Sequence, residues 1–396
     1  MTMLNIRMYP ARNGDAFLLC ADRATLLIDG GYSSTFNNYI VDDLQQLASE
    51  GQALDLVINT HIDADHIGGI LRFLSINGAA ARPEIIQIKR IWHNSLRSLT
   101  APQTEPVEHN NEIILNTLTQ RGYLTPNEEG QGAKAISARQ GNTLASLIHD
   151  GQYDWNEGNG LRRISVESMP GINLPGGRVT VLTPSNTALD TLLVFWQKSL
   201  RRFGFKGEVG ADTLAEDAFE CGVSHLQEAV GKPPSLISAG RPKQLYEVYR
   251  PDTSVTNASS IATLVELDGC RILMLADAPA EDIVHQLKIL HAEGCSLIFD
   301  AIKISHHGSC SNTNPELLGL VDAPVYFISS DGSRHQHPDV EVLTAIVDRP
   351  AAFSRTLYFN YRTPSSDYLQ HYTTITGAPF NVEAGTSCWI EIGKRQ

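Results

Sequence analysis

The sequence predicts a mixed α/β protein, a single domain over residues 1–396 with an insertion at approximately residues 100–250. Three observations lead there. Apolar runs of strand length alternate with segments of helical period towards both ends of the chain. Several of these runs stop in short loops rich in His, Asp and Gly, the pattern of strands that deliver polar groups to a sheet edge. Between about Gly122 and Arg250 the patterning fades, and no fixed-period repeat replaces it.

Composition narrows the function classes. A formal charge of −13 argues against general coating of nucleic acid or anionic lipid, although a local basic groove is compatible with it. The stretch Met1 to Arg12 has no long apolar core, and no segment reaches the roughly 20 apolar residues of a membrane helix. The expectation is a soluble, unexported, cytoplasmic protein. Cys20, Cys221, Cys270, Cys295, Cys310 and Cys388 are scattered without a CxxC pair, which indicates reduced thiols and not a disulfide framework or thiolate zinc knuckle.

In chain order, Leu4–Met8, Ala16–Cys20 and Ala24–Ile28 read as three strands of a meander, the last running into Asp29-Gly30-Gly31. Asp29 there is either an acceptor that holds the neighbouring loop or a plain turn aspartate. Asn38–Glu50 has helical spacing at Ile40, Leu44 and Leu47. Leu54–Asn59 reads as a buried strand and Ile67–Leu74 as the start of a helix, with His61-Ile62-Asp63-Ala64-Asp65-His66 on the loop between them. Ile85–Trp92 and Arg178–Leu182 read as strands, and Thr143–His149 and Leu189–Phe203 as helices. The Asp268-Gly269 turn joins strands Ser259–Leu267 and Arg271–Leu275 in a hairpin, and the second ends in Ala276-Asp277. A helix over Glu281–Ala292 precedes a strand over Leu297–Ile304, which runs into Ser305-His306-His307-Gly308-Ser309. A helix at Pro315–Leu320, a strand at Val325–Ser329, a turn carrying His337-Pro338, a helix at Asp339–Val347 and further β-structure over Thr356–Ile392 complete the chain.

The chemistry-bearing residues fall at the ends of strands. His61, Asp63, Asp65 and His66 are nitrogen and oxygen donors of the kind zinc, manganese and iron accept. His61 and Asp63, two apart on extended chain, point the same way and suit one ion, while Asp65 and His66 reach a second. Two ions roughly 3.5–4 Å apart clamp the attacking and leaving oxygens of a hydrolytic displacement and supply a water that deprotonates near neutral pH. Asp277 and the pair His306-His307 follow predicted strands in the same manner. Two adjacent imidazoles after a buried strand have little packing value.

The ordered set Asp29, His61-x-Asp63-x-Asp65-His66, Asp277 and His306-His307-Gly308-Ser309 resembles the metallo-β-lactamase fold superfamily. Within it, Asp63 in place of the second histidine of HxHxDH, the opening Gly14-Asp15-Ala16-Phe17 and the later His337-Pro338 resemble the branch typified by the hydrolase domain of the ComEC competence protein. The matching segments cover roughly residues 1–75 and 254–347. The resemblance implies a four-layer αββα sandwich with two divalent ions at one edge, most often zinc, with manganese as the alternative. It assigns His61 and Asp63 to the first ion, Asp65, His66 and one of His306 and His307 to the second, with His307 preferred, and Asp277 as the bridge. It places Ser309 near a phosphate oxygen and His337 as general acid or phosphate ligand, against a plain turn residue before Pro338. A third-motif histidine is missing from its usual place. His93 is the first candidate for it, followed by His109, His149 and His225, each of which also reads as an ordinary histidine.

The function implied is hydrolysis of a phosphodiester, in nucleic acid or a small nucleotide, with Asp65 orienting the attacking hydroxide. Lys198, Arg201, Arg202, Arg241 and Lys243 are either a basic patch for a phosphate chain or a solvated helix face. The alternatives are hydrolysis of an ester, lactone or lactam at the same metals, and a catalytically silent metal-bound module of a larger, defence-type complex.

Overall fold

Period-two alternation along the strands sorts their side chains between two faces. In the structure, a computed structural model that describes residues 3–102, 107–123, 143–226, 243–334 and 336–393, β1 Met3–Met8, β2 Phe17–Cys20, β3 Thr25–Ile28, β4 Leu56–Ile58, β5 Ile91–Trp92 and β14 Trp389–Gly393 form one sheet in the order β14-β1-β2-β3-β4-β5. The second sheet has the order β13-β12-β11-β10-β9-β8-β7-β6 and comprises β6 Gly171–Leu174, β7 Gly177–Val181, β8 Thr263–Leu267, β9 Cys270–Met274, β10 Ala301–Lys303, β11 Val325–Ile328, β12 Arg355–Phe359 and β13 Phe380–Ala384. Leu26, Ile28, Leu56 and Ile58 of the first sheet share a buried cluster with Val265, Ile272, Met274 and Phe327 of the second, so the sheets pack face to face.

The opposite faces carry helices. Leu27 and Val57 turn to Leu44, Ile67, Ile70, Phe73 and Ile148 on helices Val41–Ser49, Ala64–Asn77 and Leu144–Asp150. Leu273, Ile302 and Leu357 turn to Ile283, Leu317, Leu343 and Leu369 on helices Ala280–Ala292, Pro315–Leu320, Val340–Val347 and Pro364–Gln370. The layers run helix, sheet, sheet, helix: the αββα sandwich of the metallo-β-lactamase fold. β3, β4 and β5 are parallel, as are β9 to β13. Polar groups at their carboxyl ends therefore meet at one edge.

Several strand expectations are shortened, among them Leu54–Asn59, of which Leu56–Ile58 is regular. In Ile85–Trp92 only β5 is regular, because the Asn77 side chain takes the Ile85 and Ile86 amides and the Ile86 carbonyl. The expected strand Ser259–Leu267 starts at Thr263, because the Thr183 hydroxyl pairs with Ser260 O and Ala262 N. Leu297–Ile304 contracts to Ala301–Lys303, with Ile298 in an isolated bridge to Asp322. The helix expected from Ile67 begins at Ala64, since Asp63 O accepts from His66 N and Ile67 N.

The region 100–250 is of two kinds. β6 and β7 extend the eight-stranded sheet by pairing on to β8. Helices His109–Thr119, Asn186–Arg202 and Thr213–Leu226 instead build a separate core around Leu115, Trp196 and Phe219. Ile62, from the loop between His61 and Asp63, is buried in that helical core. Among the described residues, no helix is long and apolar enough to cross a membrane.

Candidate metal centre

The centre is assembled at the carboxyl end of β3, β4, β9 and β10. Gly30 lets the helix Ala64–Asn77 approach the end of β3: a Cβ at Gly69 would strike the Gly30 carbonyl. Across that contact the Asp29 carboxylate accepts from Thr60 N at 2.8 Å and from Thr60 Oγ1 at 2.7 Å, and its Oδ2 lies 2.8 Å from His66 Nδ1. Asp29 thus ties the His61 loop to the helix that bears His66. Its φ is +55°, and Ala276, His306 and His307 also have positive φ, at +46°, +43° and +56°. Such left-handed residues cost of order 1–3 kcal/mol each and tend to collect at functional sites.

Asp277 stands at the middle. Its Oδ2 lies 3.4 Å from His66 Nε2, 3.5 Å from His307 Nε2, 3.7 Å from His306 Nε2 and 3.9 Å from His61 Nε2. Both members of the histidine pair therefore face the bridge candidate. Asp63 Oδ2 is 3.7 Å from His61 Nε2, and Asp65 Oδ2 is 3.9 Å from His307 Nε2. These donors form overlapping groups able to hold an ion: His61, His66 and Asp277; Asp65, His66 and His307; Asp277, His306 and His307.

The hydrogen bonds on the far side of each ring fix which nitrogen carries a lone pair inwards. Thr60 Oγ1 gives its proton to Asp29, so it accepts from His61 Nδ1 at 3.0 Å. His66 Nδ1 donates to Asp29, and His307 Nδ1 donates to Ser329 O at 2.9 Å. Asn312 Nδ2 donates to Asp252 Oδ2 and to Asp277 O, which turns its Oδ1 to His306 Nδ1 at 2.8 Å. In the neutral rings this leaves the Nε2 atoms as acceptors aimed at one carboxylate oxygen. The Nε2 atoms of His61 and His66 are buried and without a hydrogen-bond partner. Acceptors facing acceptors are an arrangement that a cation between them satisfies, and ligating imidazoles are held from behind in this manner. The residues fit divalent ions.

The same carboxylates attract protons as well as cations. Burial raises the Asp277 carboxyl, but His307, His66 and His306 outweigh it and hold the group well below the usual carboxylate range. Burial opposes charge on His307, yet Asp277 and Asp15 raise it to about 9; His66 is raised likewise by Asp277 and Asp29. His306 is lowered to about 4 by burial and by the neighbouring His337 and His307, which keeps its ring neutral. Behind the cluster, buried Lys303 pairs with Asp15, lies 3.7 Å from Asp277 Oδ1 and donates to Ala276 O at 2.8 Å. Asn13 Nδ2 donates to Asp65 Oδ2 at 2.6 Å, and Asn13 Oδ1 accepts from Tyr32 OH.

Other candidates lie elsewhere. Ser309 is buried, and its Oγ accepts from Ser311 N within its own loop. The His337 ring is 5.4 Å from that of His306, with Nδ1 3.5 Å from Asp339 Oδ1. His93 is not in the cluster: its Nε2 is 2.8 Å from Glu220 Oε1 and its Nδ1 3.2 Å from Asn59 Nδ2. His109 and His149 are exposed beside Glu112 and Asp150, and His225 bonds Gly122 O. Lys198, Arg201, Arg202 and Lys243 are exposed, and Arg241 is outside the described residues. Sequence reasoning missed Asn13, Thr60, Lys303 and Asn312 as supports. Only Lys303 left a signal, a lysine inside an apolar strand run.

Residues 9–126 match the metallo-beta-lactamase superfamily, a family made up mostly of metal-dependent hydrolases. The matched segment carries Asp29 and the His61 to His66 cluster, and the αββα architecture of the whole chain accords with it. No curated protein matches the chain.

Proposed function

We propose that this cluster is a binuclear metal centre, most consistent with zinc and with manganese as the alternative, and that the protein is a cytoplasmic metal-dependent hydrolase of phosphodiesters. The observation that carries the reading is the set of four imidazoles whose Nδ1 atoms are committed outwards and whose Nε2 atoms converge on Asp277 Oδ2. His61 and Asp63 would hold one ion, and Asp65, His66 and His307 the other, with Asp277 shared and His306 beside it. Bound ions would contribute Lewis acidity and a nucleophilic water at neutral pH.

The chain's own groups do the rest. Asn13 holds Oδ2 of Asp65, so the remaining oxygen is the one presented to the attacking water. His337, backed by Asp339, is the group adjacent to His306 suited to meet a leaving oxygen. A phosphodiester is preferred to an acyl substrate by the resemblance to the ComEC-type branch. Nucleic acid and small nucleotides remain the two forms of that substrate.

The test is a substrate panel on zinc- and manganese-loaded protein. Hydrolysis of bis(p-nitrophenyl) phosphate, reduced at least about 100-fold by Asp65→Asn and by His66→Ala, supports the proposal. Turnover confined to lactone, lactam or ester substrates would replace it with the acyl reading. Full metal content with no turnover in any class would leave the silent module.

A further inference from the structure

His93 was the first candidate for a ligand, and its surroundings give it a different task. It is fully buried at the end of β5, stacked on Trp155 with ring centroids 6.2 Å apart, and its N–H and C=O are held by Asn156 and Trp155. Asn59 Nδ2 donates both to His93 Nδ1 and to the carbonyl of His61, at 3.2 Å and 2.7 Å. With Nδ1 an acceptor, the proton of the ring sits on Nε2 and is given to Glu220 Oε1. Glu220, fully buried on helix Thr213–Leu226, takes three more donors: Ala145 N on Oε1, with Leu144 N and Tyr123 OH on Oε2. The line Glu220, His93, Asn59, His61 thus runs from the helical part of the 100–250 region to the backbone of a ligand candidate.

A second contact reaches the same loop from the same helices. Ile62, between His61 and Asp63, is buried with Leu96, Leu189, Trp196 and Phe219. By contrast, the Asp65, His66 and His307 group is held by Asn13, Asp29 and Ser329, none of which belongs to those helices. Among the described residues, the hydrogen-bonded line from Glu220 ends on the His61 side of the centre.

We propose that Glu220, His93 and Asn59 are positioning residues through which the helical region sets the affinity of the His61 and Asp63 half of the centre, selectively over the Asp65, His66 and His307 half. The helical region is on this account a brace for one metal position, and its connection to the substrate side is through that position. The inference rests on the two-metal reading above.

The experiment measures zinc per chain and zinc release to a graded chelator in wild type, Glu220→Gln and Asn59→Asp. Glu220→Gln keeps the shape of the side chain and sets an NH2 against two of the four donors; Asn59→Asp keeps its shape and removes both donated bonds. Wild type should hold two ions. Each variant should release one of them at least about ten-fold more readily, with the second unchanged. Equal weakening of both ions, or no weakening of either, overturns the proposal. Wild-type protein that binds no ions at this edge overturns the two-metal reading instead. A measurement on wild type alone covers variants that do not fold. Because coupling is reciprocal, filling the weaker position should slow hydrogen exchange at Leu144 and Ala145 more than in helix Pro364–Gln370. Unchanged exchange at Leu144 and Ala145 overturns the proposal.

Discussion

Lys303 is a buried lysine on β10, placed where a strand would ordinarily carry an apolar side chain. Its charge is tolerable because Asp15 and Asp277 face it, and Asp15 is held at about 2 because Lys303 and His307 outweigh its burial. A charge left without its partner in such a place costs about 3–5 kcal/mol. Lys303→Met should therefore destabilise the protein by about that amount in urea melts, and adding Asp15→Asn should recover part of the loss. The linkage has a definite sign. The folded carboxyl of Asp15 lies below its unfolded value, so its contribution is complete above about pH 4 and is lost as pH falls towards 2. The residues that gather around Asp277 were legible in the sequence, and the groups that hold them from behind were not. His, Asp and Gly in short loops announce themselves in sequence. Asn13 and Asn312 do not, since their roles depend on which partners the fold brings to them.

At the scale of elements, strand ends and helices around the centre followed from alternation and apolar spacing, because burial on both faces enforces them. In two of the segments where expectation and structure part, 85–90 and 259–262, backbone groups are captured by a side chain, Asn77 from the preceding helix and Thr183 from far along the chain. Local patterning carries no trace of Asn77 or Thr183 doing so. The helices His109–Thr119 and Thr213–Leu226 were likewise unread, the second because its buried face bears Glu216, Asp217 and Glu220 among its apolar residues. Asp217 is a measurable consequence. Burial and the nearby Glu220 and Glu216 raise it to about 7, although Thr143 donates to it. Raised above its unfolded value, it favours the fold fully below about pH 4, and that contribution disappears as pH rises through 7. Asp217→Asn should raise the melting temperature at pH 8 and give no gain at pH 4. Trp196→Ala, which empties the middle of the helical core, should cost about 3–5 kcal/mol.

At the scale of the whole molecule, the two ends of the chain close one site. Ser329 Oγ donates to Gly14 O, and Asn360 Nδ2 donates to Tyr9 O, while β14 returns to pair with β1. The first sheet brings Asp29, His61, Asp63, Asp65 and His66; the second brings Asp277, His306 and His307. An ion held between them binds only the folded chain, so it should stabilise the whole sandwich. At a thousand times its dissociation constant, zinc should add about 4 kcal/mol, and removal by chelator should lower the melting temperature reversibly.

The account stands most directly on the position of the ions. Crystals of the zinc-loaded protein, measured at the zinc absorption edge, should show two anomalous peaks about 3.5–4 Å apart on either side of Asp277 Oδ2. One should be bounded by His61 and Asp63, the other by Asp65, His66 and His307. A loaded crystal with no peak among these side chains, or with peaks only at surface histidines such as His109 and His149, would contradict it.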